Sequence, residues 1–266
     1  MTQAPGRIRV GIGGWTYEPW RGPFYPHGLR QADELSYAAQ HLTAIEINGT
    51  YYSSFKPESF AKWRDAAPDG FRYAVKASRY ATNRRVLAEA EASVSKFLGQ
   101  GLTELGDRLG PILWQFAPTR RFDPDDFAAF LALLPDRQDG VALTHAIEVR
   151  HESFACAEFV DLARRHNVAI VIADHPDYPQ IADLTADFVY ARVQQAREDE
   201  PLGYPATQLD EWARIAKSWA AGHAPEGLSY LAAKQPASQR RDVYLFMISG
   251  AKVRNPAAAM ALIERL

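Results

Sequence analysis

Ala44-Ile45-Glu46-Ile47-Asn48-Gly49-Thr50-Tyr51-Tyr52 (AIEINGTYY) is the stretch that decides the fold. Side chains alternate at period 2 along a strand, so Ile45 and Ile47 share one face and Glu46 and Asn48 the other. The flanking chain supplies no polar face, so both faces are expected to be largely buried. A carboxylate inside an apolar strand is costly unless it is paired or used. Ala146-Ile147-Glu148-Val149-Arg150 and Ala74-Val75-Lys76 repeat the oddity. Three strands thus each set a charge where a core residue belongs, as expected of a barrel or sheet whose inward strand ends build a site.

The chain has 266 residues, enough for one large α/β domain or two small ones. Folding at that length buries roughly three quarters of the unfolded surface, so the core needs no staples. Apolar content of 47% and charged content of 23% place it among ordinary soluble globular proteins. The net charge of −2, with no basic block, disfavours a nucleic-acid backbone binder as a class, although a local patch is compatible with it. Cys156 is the only cysteine, which excludes an intrachain disulfide and a cysteine zinc cluster. The opening MTQAPGRIRV has no apolar core of a leader, and no apolar run is long enough to span a bilayer. A reducing, cytoplasmic setting with no membrane partner is the expectation. Nothing in the sequence speaks to oligomeric state.

Outward from the decisive stretch, strands are predicted at Arg7 to Gly13, Thr43 to Asn48, Phe71 to Lys76, Gly110 to Phe116, Ala146 to Arg150, Ala169 to Asp174, Phe188 to Arg192 and Val243 to Phe246. Gly13-Gly14-Trp15-Thr16-Tyr17, with Trp20 and Phe24-Tyr25-Pro26, forms a long aromatic loop. It lacks the lysine and third glycine of phosphate-binding loops. Helices are predicted over Asp33 to Leu42, from Pro57 through Phe60 and Trp63, and over Val86 to Leu105 with an apolar stripe of Leu87, Val94, Phe97, Leu98, Leu102 and Leu105. Asp123-Pro124 caps a helix reaching about Leu134. Further helices run through Phe159 to Asn167, from a Thr207 cap through Trp219, and from Asn255-Pro256 to the end, while Tyr178 to Ala186 is a short, proline-containing weak helix. Eight strands alternating with helices, with no linker or repeat, predict a single (β/α)8 barrel of the TIM type over 1–266, built on an eight-stranded parallel sheet.

Chemistry in such barrels sits at the C-terminal strand ends. Polar residues there are Glu46, Asn48, Lys76, Gln115, Glu148, Arg150, His151, Asp174 and Arg192, roofed by Trp15, Tyr17, Trp20, Tyr25, Tyr51 and Tyr52. Glu46 and Glu148 are read either as an acid/base pair or as structural carboxylates neutralised by Lys76, Arg150 and Arg192. Lys76 is a candidate amine nucleophile if desolvated, or an ordinary charged partner. A metal held by Glu46, Glu148, Asp174 and His151 has suitable ligand types, but there is no His-x-x-x-His pair. No metal and no cofactor are therefore expected, and His151 reads as a hydrogen-bonded wall residue. Arg150, Arg192 and Lys76 suit a phosphate or carboxylate, or else balance the acids. Ser153 lies beside His151 without a nucleophile elbow, which disfavours a serine hydrolase. Cys156 reads as packing.

The segments Gly14-Trp15-Thr16-Tyr17, Phe24-Tyr25-Pro26, Ile45 to Tyr52, Gly70 to Lys76, Leu109-Gly110-Pro111, Gln115-Phe116-Ala117-Pro118, Glu148-Val149-Arg150-His151 and Tyr190-Ala191-Arg192 run in order along nearly the whole chain. In them the chain resembles the domain-of-unknown-function-72 (DUF72) family, also called YecE-like. The resemblance implies a TIM barrel and assigns no activity. The family pattern has Thr-His after the third strand where this chain has Thr82-Asn83. It has Arg-x-His-Gly in strand seven against Arg192-Val193-Gln194-Gln195, and Phe-Asn-Asn closing strand eight against Phe246-Met247-Ile248. The acids, Lys76 and the arginines are kept, while two histidines and an asparagine pair are lost. A metal or histidine-based role is thus weaker here than in relatives, and the chain reads as a divergent member.

The expectation is an enzyme acting on a small anionic or sugar-like molecule. Glu46, Glu148 and Lys76 would be its catalytic groups. Trp15, Tyr17, Asn48, Tyr51, Gln115, Arg150, His151, Asp174 and Arg192 would line the substrate site. One alternative is a non-catalytic ligand-binding barrel with the same charges in a fixed ion network. Another, single-stranded nucleic-acid processing, rests on the aromatic and arginine content.

Overall fold

A computed structural model describes residues 6–266; the first half of the opening segment, 1–5, lies outside the described residues. Parallel strands β1 Ile8–Gly13, β2 Ala44–Ile47, β3 Arg72–Lys76, β4 Leu109–Gln115, β5 His145–Glu148, β7 Phe188–Val193 and β8 Asp242–Met247 pair in sequence order, and β1 also pairs with β8. Strand β6 is in two pieces, Ala169–Ile170 paired to β5 and Ile172–Asp174 paired to β7. The nine-membered sheet order begins and ends on these two pieces. They are consecutive in the chain and separated by Val171 alone, so the ring closes at strand six with eight positions. The predicted barrel architecture is the observed one.

Helices α1 Glu34–His41, α2 Pro57–Ala66, α3 Arg79–Thr82, α4 Glu91–Leu98, α5 Pro124–Ala132, α6 Ala157–Arg165, α7 Ala206–Ala221 and α8 Asn255–Ile263 lie along the chain between and after the strands. Two layers of core result. Ile12, Ile45, Ile47, Val75, Ile112, Ile147 and Val193 belong to the large core between strands and helices, while Ala44, Ala74, Leu113, Ala146, Val171, Tyr190 and Phe246 fill the barrel axis. The odd-even split at Ile45/Glu46 predicted from sequence is therefore the split between helix side and axis. Gly11 is required by this closeness: a Cβ there would stand 2.0 Å from the Ala44 carbonyl oxygen on the neighbouring strand.

Several elements differ from expectation. The single helix over Val86 to Leu105 is three pieces: a 3-10 turn Leu87–Glu89, α4, and a 3-10 stretch Leu102–Arg108. Gly101 (φ +104), between α4 and the stretch that begins at Leu102, takes a left-handed conformation that a continuing helix forbids. All six stripe residues are nonetheless buried. Tyr178 to Ala186 contains no helix. Thr207 lies inside α7, which starts after Pro205 without a side-chain cap, whereas Asp123 does cap α5 by accepting from the Asp126 N–H. Among the described residues no helix is long and apolar enough to cross a membrane.

Candidate active site at the barrel mouth

Strand parity carries Glu46, Lys76, Gln115, Glu148 and Arg192 inward at the C-terminal ends of β2, β3, β4, β5 and β7, directly above the axial layer of Ala44, Ala74, Leu113, Ala146 and Tyr190. Arg192 is the hub. Its Nε donates to Glu46 Oε2 and its Nη2 to Glu46 Oε1, both at 3.1 Å, in a two-pronged contact. Its Nη1 donates to Glu148 Oε2. The Tyr190 hydroxyl donates to Glu46 Oε2 at 2.7 Å. Gln115 Nε2 donates to Glu148 Oε2 at 2.7 Å, and Arg150 Nε donates to Glu148 Oε1 at 2.9 Å. All four carboxylate oxygens are thus engaged, and both acids are 0% exposed. Burial, the strongest single influence, pushes the Glu148 carboxyl up, but Arg192, Arg150, Gln115 and Lys76 together hold it at about 2. Arg192 is held in its charged form by Glu148 and Glu46 against a large burial penalty.

Lys76 is placed differently. Among the described residues no carboxylate oxygen lies within 4.0 Å of its Nζ, which sits 4.3 Å from the Tyr51 ring centre. Burial lowers its pKa to about 8, helped by the nearby Arg192 and opposed by Glu46 and Glu148. The Thr50 hydroxyl donates to the Lys76 carbonyl at 2.6 Å and fixes the turn that follows β2 against β3.

Above these residues opens a cavity of about 520 Å³, walled by Trp15, Phe55, Trp63, Asn48, Ser249 and backbone of Gly13 and Gly14. Its charged lining groups are Lys76, Arg192 and Lys252, all cations. Lys252 Nζ stands 4.3 Å from the Tyr17 ring centre, and burial lowers its pKa. Glu46 and Glu148, both fully buried, do not line the cavity.

The sequence-derived residues therefore separate into groups. Arg192, Lys76, Asn48 and Trp15 line the cavity; Trp15 packs edge-on to Trp63 at 5.4 Å. Tyr17 and Tyr51 do not line the cavity but face Lys252 and Lys76, and Gln115 and Arg150 bond to Glu148. Arg150 also lies 4.6 Å from the Tyr178 ring centre. His151 stands outside the cavity and caps a 3-10 turn, its Nδ1 accepting from the Ser153 N–H. Asp174 has the parity of the helix side, one residue past the axial Ala173, and accepts from Gln195 Nε2 at 2.5 Å. The quartet weighed for a metal is thus not brought together, and among the described residues no group of three or more His, Cys, Asp or Glu side chains is placed to hold one. Trp20 and Tyr25 are core and not roof, at 0% and 1% exposed. Sequence reading missed Lys252, Trp63 and Phe55, which lie outside strands, where only barrel closure brings the β8 loop beside the β1 loop. It also missed Tyr190, although its spacing of two from Arg192 was a legible signal.

The chain is 28% identical over 150 residues to the UPF0759 protein YecE of Escherichia coli strain K12, and equally to that of strain O157:H7, covering 55% of this chain and 50% of each relative. It spans about half the length of these curated relatives. A DUF72 family protein of Thermotoga maritima superposes with a TM-score of 0.71 at 21% identity over 97% of both chains. One from Enterococcus faecalis superposes at 0.68 and 19% identity, over 99% of this chain and 100% of that one. SacUVDE shares the fold alone, at 0.56 and 9% identity, over 97% of this chain and 99% of that one. The model of the family described as "Protein of unknown function DUF72" matches residues 9–266, so the chain belongs to the DUF72 family.

Proposed function

We propose that the barrel mouth is an enzyme site for a small anionic molecule, in which Arg192 and Lys252 hold the anionic group and Lys76 moves the proton. The observation that carries this is the cavity itself: it is open, it is lined by three cations, and no carboxylate reaches it. Glu46 and Glu148 already balance Arg192, so Lys76 and Lys252 carry the charge that a phosphate or carboxylate group would offset. Asn48 and Ser249 offer hydrogen bonds, and Trp15, Phe55 and Trp63 offer flat walls for a ring or sugar face. With its pKa at about 8, Lys76 exchanges a proton near neutral pH, which general acid/base catalysis needs. In this reading Glu46 and Glu148 are positioning residues for Arg192 and not the acid/base pair.

Titration calorimetry with inorganic phosphate, then with a panel of sugar phosphates and small carboxylic acids, tests the reading. The native protein is expected to bind, Lys252→Met to bind about tenfold more weakly for the loss of one charge-assisted contact, and turnover of any substrate found to follow an ionisation near pH 8. Phosphate and carboxylate binding absent from the native protein, or unchanged in Lys252→Met, would sink it. Full pairing of both carboxylates favours one second reading, a binding barrel without chemistry. It predicts the same binding with no turnover.

A further inference from the structure

A second cavity, of about 610 Å³, opens beside the mouth between the loop after β2, the loop after β3 and α4. It is lined by Arg79, Arg84 and Lys96, and by no carboxylate. The hydroxyls of Ser53, Ser54, Ser78 and Ser93 complete its polar wall. Tyr52 and Tyr80 line it as well, and they are the large aromatic side chains that stand free of the fold among the described residues, 63% and 65% exposed. The Arg79 guanidinium lies 6.0 Å from the Tyr52 ring centre and 5.5 Å from that of Tyr80, so a cation sits between two exposed flat faces. No carboxylate oxygen among the described residues lies within 4.0 Å of the charged nitrogens of Arg79, Arg84 or Lys96; Arg84 is steered by the Ser93 hydroxyl at 2.9 Å.

This groove is not isolated. Tyr52 lines both it and the mouth cavity. Asn83 lines both it and a third cavity of about 730 Å³ that adds Arg85 and Arg121. The acids of that third cavity are occupied: Asp123 caps α5, and Asp126 accepts from the Ala88 N–H at 3.0 Å. One stretch of chain, Lys76 to Arg85, therefore sets cations along three adjoining hollows. The net charge of −2 conceals this segregation.

From this geometry we infer that the groove binds a single-stranded nucleic acid, with phosphates along Arg79, Arg84 and Lys96, bases stacked on Tyr80 and Tyr52, and the strand leading toward the mouth. Unopposed cations at intervals ask for a repeating anion. Exposed tyrosine faces between them ask for a repeating flat ring, and a single strand has both at one period. A duplex hides its ring faces and fits the cations alone. The inference rests on the mouth reading only for where the strand leads; groove binding is measured on its own.

The test is fluorescence anisotropy of a labelled oligothymidylate of about 12 nucleotides, long enough to cross a strand-binding groove, against the full chain, with a duplex of equal length alongside. The single strand is expected to bind more tightly than the duplex at low salt. Tyr80→Ala and Tyr52→Ala should each weaken it by about tenfold. Arg79→Ala should reduce the slope of log affinity on log salt by about 0.7, the value of one phosphate contact on a single strand. All three side chains are exposed, so the variants keep the fold, which circular dichroism checks. Failure of the single strand to bind at low salt overturns the inference, as does equal affinity for duplex with no response to either tyrosine. Phosphate binding measured on Lys252→Met stays independent: it can fail while the groove binds, or hold while the groove does not.

Discussion

Replacing Lys76 by methionine should make the protein more stable. The ordinary lysine pKa of 10.5 falls to about 8 in the fold, chiefly by burial. The folded state therefore holds this proton less tightly than the unfolded state does. Below pH 8 both states are protonated and the folded state carries the whole penalty of a charge it disfavours. At about 1.4 kcal/mol for each pH unit, that penalty is about 3 kcal/mol. Between pH 8 and 10.5 the folded state releases the proton first, so the lysine protein gains stability as pH rises, and above 10.5 the penalty is gone. Methionine has similar length, packs against Tyr51 and carries no charge. Urea denaturation of both proteins should give the variant an advantage of about 3 kcal/mol at pH 7, shrinking toward zero by about pH 10.5. Phosphate should narrow the gap at pH 7, because it stabilises the charged amine. A variant no more stable than its parent, or an advantage that does not change with pH, would refute the assignment of Lys76 as a desolvated and unpaired amine. The proposed function would give a reason for the costly residue, since active sites commonly trade stability for chemistry.

Two further outcomes follow from the ion network. Glu148 is the mirror case: its folded pKa of about 2 lies below the ordinary 4.5, so it contributes about 3 kcal/mol above pH 4.5 that is lost as pH falls toward 2. The stability gap between native protein and Glu148→Gln, measured by urea denaturation, should be widest near neutrality and close through that acid window; a gap constant with pH would contradict the pairing. Tyr190→Phe removes the hydroxyl bonded to Glu46 Oε2 and should cost about 2 kcal/mol, the worth of a buried hydrogen bond to a charged group. A cost near zero in thermal or urea denaturation would mean that Arg192 satisfies Glu46 alone.

The fold was legible because the barrel rests on periodicity. Charges at Glu46, Lys76 and Glu148 betrayed the axial face of three strands, and strand parity is a local property. The site was legible in its residues and not in its roles. Which residues face the cavity depends on how far each side chain reaches after closure. Glu46 and Glu148 reach sideways to Arg192, while Lys76 reaches up. Asp174 was misplaced because Ala169 to Asp174 is apolar on both faces, so the run reveals no parity and only Gln195 shows which way its last residue points. The helix over Val86 to Leu105 is interrupted at Gly101, whose backbone conformation no stripe of leucines predicts.

Arg192 is clasped by β2 through Glu46 and by β5 through Glu148 while growing from β7, so one side chain ties three staves of the barrel together. Its guanidinium is oriented before any ligand arrives. On the proposed function, an incoming anion would therefore meet a donor that needs little reorganisation. On the same reading, discrimination between ligands would be left to the loops that carry Lys252, Trp15 and Tyr52.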